Sequence, residues 1–407
     1  MTHPAISTSV QPSSAKARIQ WLDGARGLAA LGVMLLHFYH ITLEHMAPLW
    51  LKHSVPAAAA DTLGHTLSYI KPLIWHPYIQ SVHPWILGHW DLGKIGVLLF
   101  FLISGYVIPL SLMKPAEHPI KAFALGRFFR LYPMYWASLA LIGLLFFLGW
   151  NSGFPAGQWA ANLTLLHKFV GIADINGVAW TLQIELIFYA LCAVMAAFGQ
   201  LNNPRWVLSL WAMSLLGGLA FAAAKNYLGI YAPVMLPMGL CYMWLGFLSR
   251  RLLAGSHYPV QAKSVVWGCF VGTLVLSAAA TAWGYADKFG QYYASYVAAL
   301  ALYLLLSRFP VRPMAFWSWL GNISYSVYLI HAQIGTVFMG LIIAIRPAWF
   351  AEHWLALFAL IAVAMALTLG ISSLTYRWIE QPAVQLGRSL SERLFRKSPK
   401  IVQGLSS

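Results

Sequence analysis

Residues 95–113 read IGVLLFFLISGYVIPLSLM, and residues 354–375 read WLALFALIAVAMALTLGISSLT. Neither stretch holds an Asp, Glu, Lys or Arg. Uncharged apolar runs of roughly 18 residues or more are long enough to cross a bilayer as helices. The whole 407-residue chain has this character, being 60% hydrophobic and only 9% charged. A water-soluble domain carries about 25% charged residues, so too little polar surface is present to cover a water-exposed globule. The sequence predicts an all-α polytopic membrane protein, a bundle of about ten transmembrane helices. The expected spans are 27–43, 95–113, 131–150, 177–198, 206–224, 231–249, 264–284, 289–307, 320–345 and 354–376.

The net charge of +15 would raise the question of nucleic acid in a soluble protein. Here the basic residues sit in short loops between apolar segments, so the expected partner is the lipid bilayer and no nucleic acid. With the N-terminus inside, 19 of the 26 Lys and Arg residues fall on inner segments and 7 on outer ones. That bias follows the positive-inside rule and puts both termini in the cytoplasm. Residues 1–22 lack the apolar run of a secretory signal and read as a tail. Residues 23–382 form the transmembrane domain, and 383–407 a basic tail suited to an anionic leaflet. Two outer connections stand out, a long one at 44–94 and a shorter one at 151–176, and long loops often serve function. Cys192, Cys241 and Cys269 are dispersed in apolar segments and form neither a disulfide framework nor a metal motif. Six histidines between His45 and His89 also match no metal spacing.

Polar side chains in hydrocarbon are costly, so each is a functional candidate. In DGARGLAALGVMLLH (residues 23–37), Arg26 and His37 lie eleven residues apart. That is close to three helical turns, so both project from one face, about 16 Å apart along the axis. A snorkelling Arg and a packing His would give the same pattern. GRFFRLYPMY (126–135) sets Arg127 and Arg130 at i and i+3, able to hold a phosphate jointly or simply to anchor the span. VAWTLQIE (178–185) places Glu185 about two turns below the outer surface, where it must be protonated, paired or facing water. GNISYSVYLIH (321–331) brings His331 to midplane depth. In GKIGVLLFFLISGY (93–106), Ser104-Gly105 permits close helix approach, with no nucleophile-elbow context for the Ser.

Taken in order over about 360 residues, these motifs resemble the acyltransferase 3 family of integral-membrane acyltransferases. The series runs Arg26…His37, Gly96…Phe100-Phe101…Ser104-Gly105, Arg127-x-x-Arg130…Pro133…Tyr135, Trp180…Glu185, Gly321…Ser324-Tyr325…Tyr328-Leu329…His331 and Glu380-x-Pro382. The resemblance implies ten spans and an O-acyltransferase of the bacterial inner membrane. Its donor would be cytoplasmic acetyl-CoA or another acyl-CoA, used as a substrate with no tightly bound cofactor. The acceptor would be a hydroxyl of a glycan or another small molecule. Arg26 and His37 are then the central pair, with Glu185 and His331 as further catalytic candidates. Arg127, Arg130 and Tyr135 become donor-binding candidates, and no metal is implied. Thr181 departs from the family's usual Ser, the first outer loop is longer than in compact members, and no hydrolase-like C-terminal domain is expected.

The residues fit that chemistry. A hydroxyl attacks poorly until a base removes its proton, and His is the usual base near neutral pH. A proton-coupled transporter using His37, Glu185 and His331 is the competing class. Against it, the sequence shows neither an inverted repeat nor paired broken helices.

Overall fold

The computed structural model describes residues 13–54, 89–113, 116–150, 153–253, 260–309 and 315–395. In chain order the helices are α1 (Ser13–Ser54), α2 (Leu92–Leu112), α3 (Pro119–Phe147), α4 (Ala156–Leu163) and α5 (Trp180–Ala197). They continue with α6 (Pro204–Leu228), α7 (Met235–Leu253), α8 (Val260–Gly284), α9 (Phe289–Arg308) and α10 (Ala315–Ile345). After the short α11 (Pro347–Glu352) come α12 (Ala356–Thr375), a π-helical turn at Tyr376–Glu380 and α13 (Gln381–Phe395). Each expected span overlaps a helix. Among the described residues, eight helices are long and apolar enough to cross a membrane. The protein is an all-α polytopic membrane protein.

Most of the long connection expected at 44–94, with much of its histidine-rich sequence, lies outside the described residues. Its first part instead continues α1 to Ser54, and its last part opens α2. The ends of both expected tails, 1–12 and 396–407, are likewise outside.

Local signals account for the helix ends. The Asp91 side chain caps α2 by accepting from the Lys94 amide at 2.8 Å. Asn203 caps α6 ahead of Pro204, and Gly229 ends that helix at φ 65°.

In lipid, water does not drive helices together, so tight packing of small residues must. A Cβ on Gly105 would fall 1.8 Å from the Met243 carbonyl oxygen, and one on Gly246 would fall 2.1 Å from that of Leu102. Thus α2 and α7 meet backbone to backbone, the close approach expected for Ser104-Gly105. The start of α10 meets α1 in the same way, where a Cβ on Gly321 would fall 2.4 Å from the Asp23 oxygen. With α1 against α10 and α2, and α2 against α7 and α9, these helices form the centre. Large apolar side chains such as Met213, Val275 and Val363 face outward, as a lipid-bathed surface requires.

The connection expected outside the membrane at 151–176 behaves differently. From Gly153 onward it folds back along α3, with Trp159 against Gly143. The hydroxyls of Tyr132 and Tyr135 and the Trp136 indole then donate to the carbonyls of Thr164, Asn162 and Leu163 at 2.8–2.9 Å. Tyr132 lies 13 residues into α3, about 20 Å from its start, so this segment descends to mid-bilayer depth. Irregular backbone is tolerated there only when buried and satisfied, and Asn162 meets that demand. Fully buried, it donates to Gln158 and Ala173 carbonyls and accepts from the Ile175 amide. Buried Asn176 donates to Ser138 Oγ and to the Leu329 carbonyl of α10. Leu165, wholly buried, holds a left-handed φ of 61°, a strain of about 1–3 kcal/mol kept by its packing. Consequently α5 begins near mid-depth instead of at a membrane surface.

Substituting Gly105→Ala should force α2 and α7 apart and lower the thermal stability of the solubilised protein, overpacking costing about 1–3 kcal/mol. Gly370→Ala, whose Cβ would meet nothing within 4 Å, is the control and should be neutral or stabilising. Unfolding curves showing no difference between the two variants would contradict this account of the α2–α7 contact.

Candidate active site

His37 on α1 and His331 on α10 are 294 residues apart in sequence and in direct contact. His37 Nδ1 lies 2.7 Å from His331 Nε2. His331 Nδ1 lies 3.0 Å from the Val327 carbonyl oxygen, one turn earlier on α10. A carbonyl only accepts, so His331 carries its proton on Nδ1 and its Nε2 is a lone pair in the neutral ring. That lone pair accepts from His37 Nδ1–H, which leaves His37 Nε2 as the free base. The second ring thus fixes the tautomer of the first, as second partners of a histidine commonly do. His331 is fully buried, whereas His37 is half-buried and lines a cavity.

This His-lined cavity has about 770 Å³ of empty volume and is walled by Asp91, Lys94, Trp180, Tyr285 and Tyr292 among others. A second cavity, of about 740 Å³, opens toward the face where α3 and α10 begin. Arg26, Arg127, Arg130, Glu185, Ser104 and Ser324 line it. Val97 and Tyr328 belong to both linings, so the two cavities abut across one layer of side chains. The Tyr328 hydroxyl, 2.7 Å from Thr181 Oγ1 and 3.2 Å from the Val178 carbonyl, is fixed in that layer. Thr181 supplies the hydroxyl that Ser would supply, which accounts for the departure from the family pattern.

Arg26 and His37 therefore serve different cavities on one helix. No ion pair or hydrogen bond among the described residues engages the Arg26 guanidinium. Arg127 donates to Ser111 Oγ at 2.8 Å and lies over the Phe123 and Tyr189 rings. Arg130 pairs with Glu380, which is 1% exposed and also accepts from Ser326 Oγ at 2.7 Å. Its guanidinium lies over the Tyr325 ring, whose hydroxyl is tied to the Leu131 carbonyl.

Two expectations need revision. Glu185 is not in the outer half of its span. Because α5 starts at mid-depth with Trp180, five residues along it bring Glu185 beside the arginines, where it accepts from the Tyr189 hydroxyl. Tyr135 lies on neither cavity; it is buried and bonded to the Asn162 carbonyl, so it holds the descending segment in place. Sequence reasoning overlooked Tyr328 as the dividing side chain and the partnership of Glu380 with Arg130. It also missed Asp91 and Lys94 beside His37, although a capping Asp and a Lys opening an apolar span were visible signals.

The family described as acyltransferase domain, acyltransferase 3, matches residues 19–377. Among similar proteins, Nodulation protein 10 of Rhizobium leguminosarum bv. viciae is 26% identical over 73% of this chain and 84% of its own length. Exopolysaccharide production protein ExoZ of Rhizobium meliloti (strain 1021) is 26% identical over 74% of this chain and 92% of its own. Acyltransferase MdmB of Streptomyces mycarofaciens is 29% identical over 27% of this chain and 30% of its own. No solved structure matches the chain. With the family match spanning every element from α1 through α12, the chain belongs to the acyltransferase 3 family and is an integral-membrane enzyme that transfers acyl groups.

Proposed function

We propose that the protein moves an acyl group, with acetyl the expected one, from cytoplasmic acyl-CoA to a hydroxyl of an exported or cell-surface glycan. One observation carries this reading: an arginine-lined cavity and a histidine-lined cavity meet across Val97 and Tyr328. Cationic arginines suit the phosphates of CoA, and the arginine side is the cytoplasmic one by the distribution of charge. The free Nε2 of His37 suits a hydroxyl entering from the other side. A glycan acceptor agrees with the exopolysaccharide role in the name of ExoZ.

The reaction balances without a cofactor. The acceptor hydroxyl gives its proton to His37 Nε2 as its oxygen attacks the thioester carbonyl. The tetrahedral adduct collapses, the C–S bond breaks, and the CoA thiolate takes the proton from His37. Among the described residues, no Ser, Thr or Cys lines the His37 cavity, which favours direct attack over an acyl-enzyme. His331 orients His37 without touching substrate, and Arg26, which lines the donor cavity and has no ion pair among the described residues, would steady the thioester end.

Purified protein in nanodiscs, given labelled acyl-CoA and candidate glycans, tests the activity. His37→Ala should reduce transfer by about 100-fold or more at unchanged expression. His331→Leu should slow turnover with little change in acyl-CoA KM, whereas His331→Gln, whose carbonyl can still accept from His37, should retain most of the rate. Normal turnover in a well-expressed His37→Ala protein would remove His37 from the chemistry.

For the donor side, Arg130→Ala strands the buried Glu380, and leaving such a charge unpaired costs about 3–5 kcal/mol, so protein yield should fall. Adding Glu380→Gln should restore the yield but not the affinity for acyl-CoA. Arg127→Gln should weaken the donor by about tenfold, one lost charge-assisted hydrogen bond being worth about 1.5–3 kcal/mol. Unchanged donor affinity in both variants would leave these arginines as anchors of topology.

The orientation is tested by reporters fused after Ser407 and inserted at 352–354, between α10 and α12. The first should report cytoplasm and the second the outside, and the reverse result would invert the donor and acceptor sides.

A further inference from the structure

A third cavity lies beyond Arg127 and Arg130, between the start of α3 and the last helix, α13. It has about 1480 Å³ of empty volume, and Ser111, Phe123, Gly126, Arg388, Glu392 and Phe395 are among its walls. Arg127 and Arg130 line both this cavity and the arginine-lined one above it, so the two spaces are consecutive. The helix that closes it is held firmly. The Glu117 amide donates to the Phe395 carbonyl at 2.9 Å, and the His118 and Phe395 rings meet edge to face at 6.2 Å. Gly387 packs so closely on Phe129 that a Cβ there would fall 2.6 Å from the Phe129 Cβ. The family match ends at residue 377, and α13 begins at Gln381.

We infer that this cavity seats the nucleotide end of the acyl-CoA donor, with Arg388 of α13 holding a phosphate. The inference rests on the donor proposed above. The three arginines differ in state. Arg130 is neutralised by Glu380 and Arg127 is engaged by Ser111, while no hydrogen bond or ion pair among the described residues uses the Arg388 guanidinium. Glu392 lies one turn further along the same helix and forms no ion pair with it, so the cavity keeps an excess of positive charge. A phosphate joined to a flat aromatic base suits a space bounded by arginines and by Phe123 and Phe395. The order of the spaces fixes which phosphate source fits. A nucleotide here can send one slender arm past Arg127 and Arg130 toward Tyr328. A lipid headgroup here would have to leave its two acyl chains in the bilayer, outside that arginine-lined passage.

Two variants test it. Arg388→Gln removes the charge. Gly126→Leu adds bulk to the cavity wall at a position where a Cβ meets nothing within 4 Å. Each is assayed with acyl-CoA and with acyl-pantetheine, which carries the same thioester arm but no nucleotide. The half-saturating acyl-CoA concentration should rise about tenfold in Arg388→Gln and should also rise in Gly126→Leu, with acyl-pantetheine kinetics unchanged in both. Equal losses on the two donors, or an acyl-CoA value identical to wild type, would overturn the assignment. So would a defect that tracks the anionic-lipid content of the nanodisc, which would identify a lipid headgroup site. If wild type used no acyl-CoA at all, the donor proposal itself would fail, and that result is separate from either outcome.

Discussion

The ion pair between Arg130 and Glu380 joins three parts of the bundle at one point. Glu380 comes from the π-helical turn after α12, Arg130 from α3, and the second carboxylate oxygen takes a hydrogen bond from Ser326 on α10. A carboxylate buried this deeply is tolerable only while both oxygens are satisfied. The pair therefore fixes the spacing of α3 and α10, and with it the passage between the arginine-lined cavity and the space below. A π-turn widens a helix by one residue per hydrogen-bonded ring and is often found where a side chain must be aimed. Here it turns Glu380 inward, and the chain then continues into α13, which folds back along α3.

The second organising contact is the histidine pair. Neither ring is placed by its own helix alone. Val327 sets the proton on His331, and His331 sets the proton on His37, so a main-chain carbonyl on α10 determines which nitrogen of α1 is free to act. Beside the two rings α1 and α10 also meet closely, where a Cβ on Gly335 would fall 2.4 Å from the Phe38 ring. Helix packing and proton placement are thus parts of one arrangement.

Much of this was legible in the sequence because hydrocarbon penalises polarity. Charge-free runs marked the helices, and the few polar residues within them marked the cavities: Arg26, His37, Arg127, Arg130, Glu185 and His331 all lie in or directly behind one. Their grouping was harder to read. The Arg130–Glu380 pair spans 250 residues and the His37–His331 pair 294, and neither has a local signature. Depth was misread for a definite reason. Residues 151–176, with their Asn, Gly and Asp, have the composition of a solvated loop, yet Asn162 and Asn176 use their amides to satisfy buried backbone inside the bundle. Hydropathy registers those side chains as water-loving and cannot tell that they are bonded to protein. The same misreading displaced Glu185, while the family resemblance gave Tyr135 a ligand role when its hydroxyl secures the descending segment.

The shared wall of Val97 and Tyr328 has a consequence for what crosses the membrane. Moving one elementary charge through the full bilayer against the membrane potential involves about 2.3 kcal/mol per 100 mV, and phosphates would carry several such charges. Where the two cavities abut, the barrier between them is a single layer of side chains. With the acyl-CoA donor proposed above, a neutral acyl group would pass from one chamber to the other while every phosphate stayed among the arginines. For the donor proposed above, the two chambers would separate the part recognised by charge from the part that is delivered, and the delivery would do no electrical work.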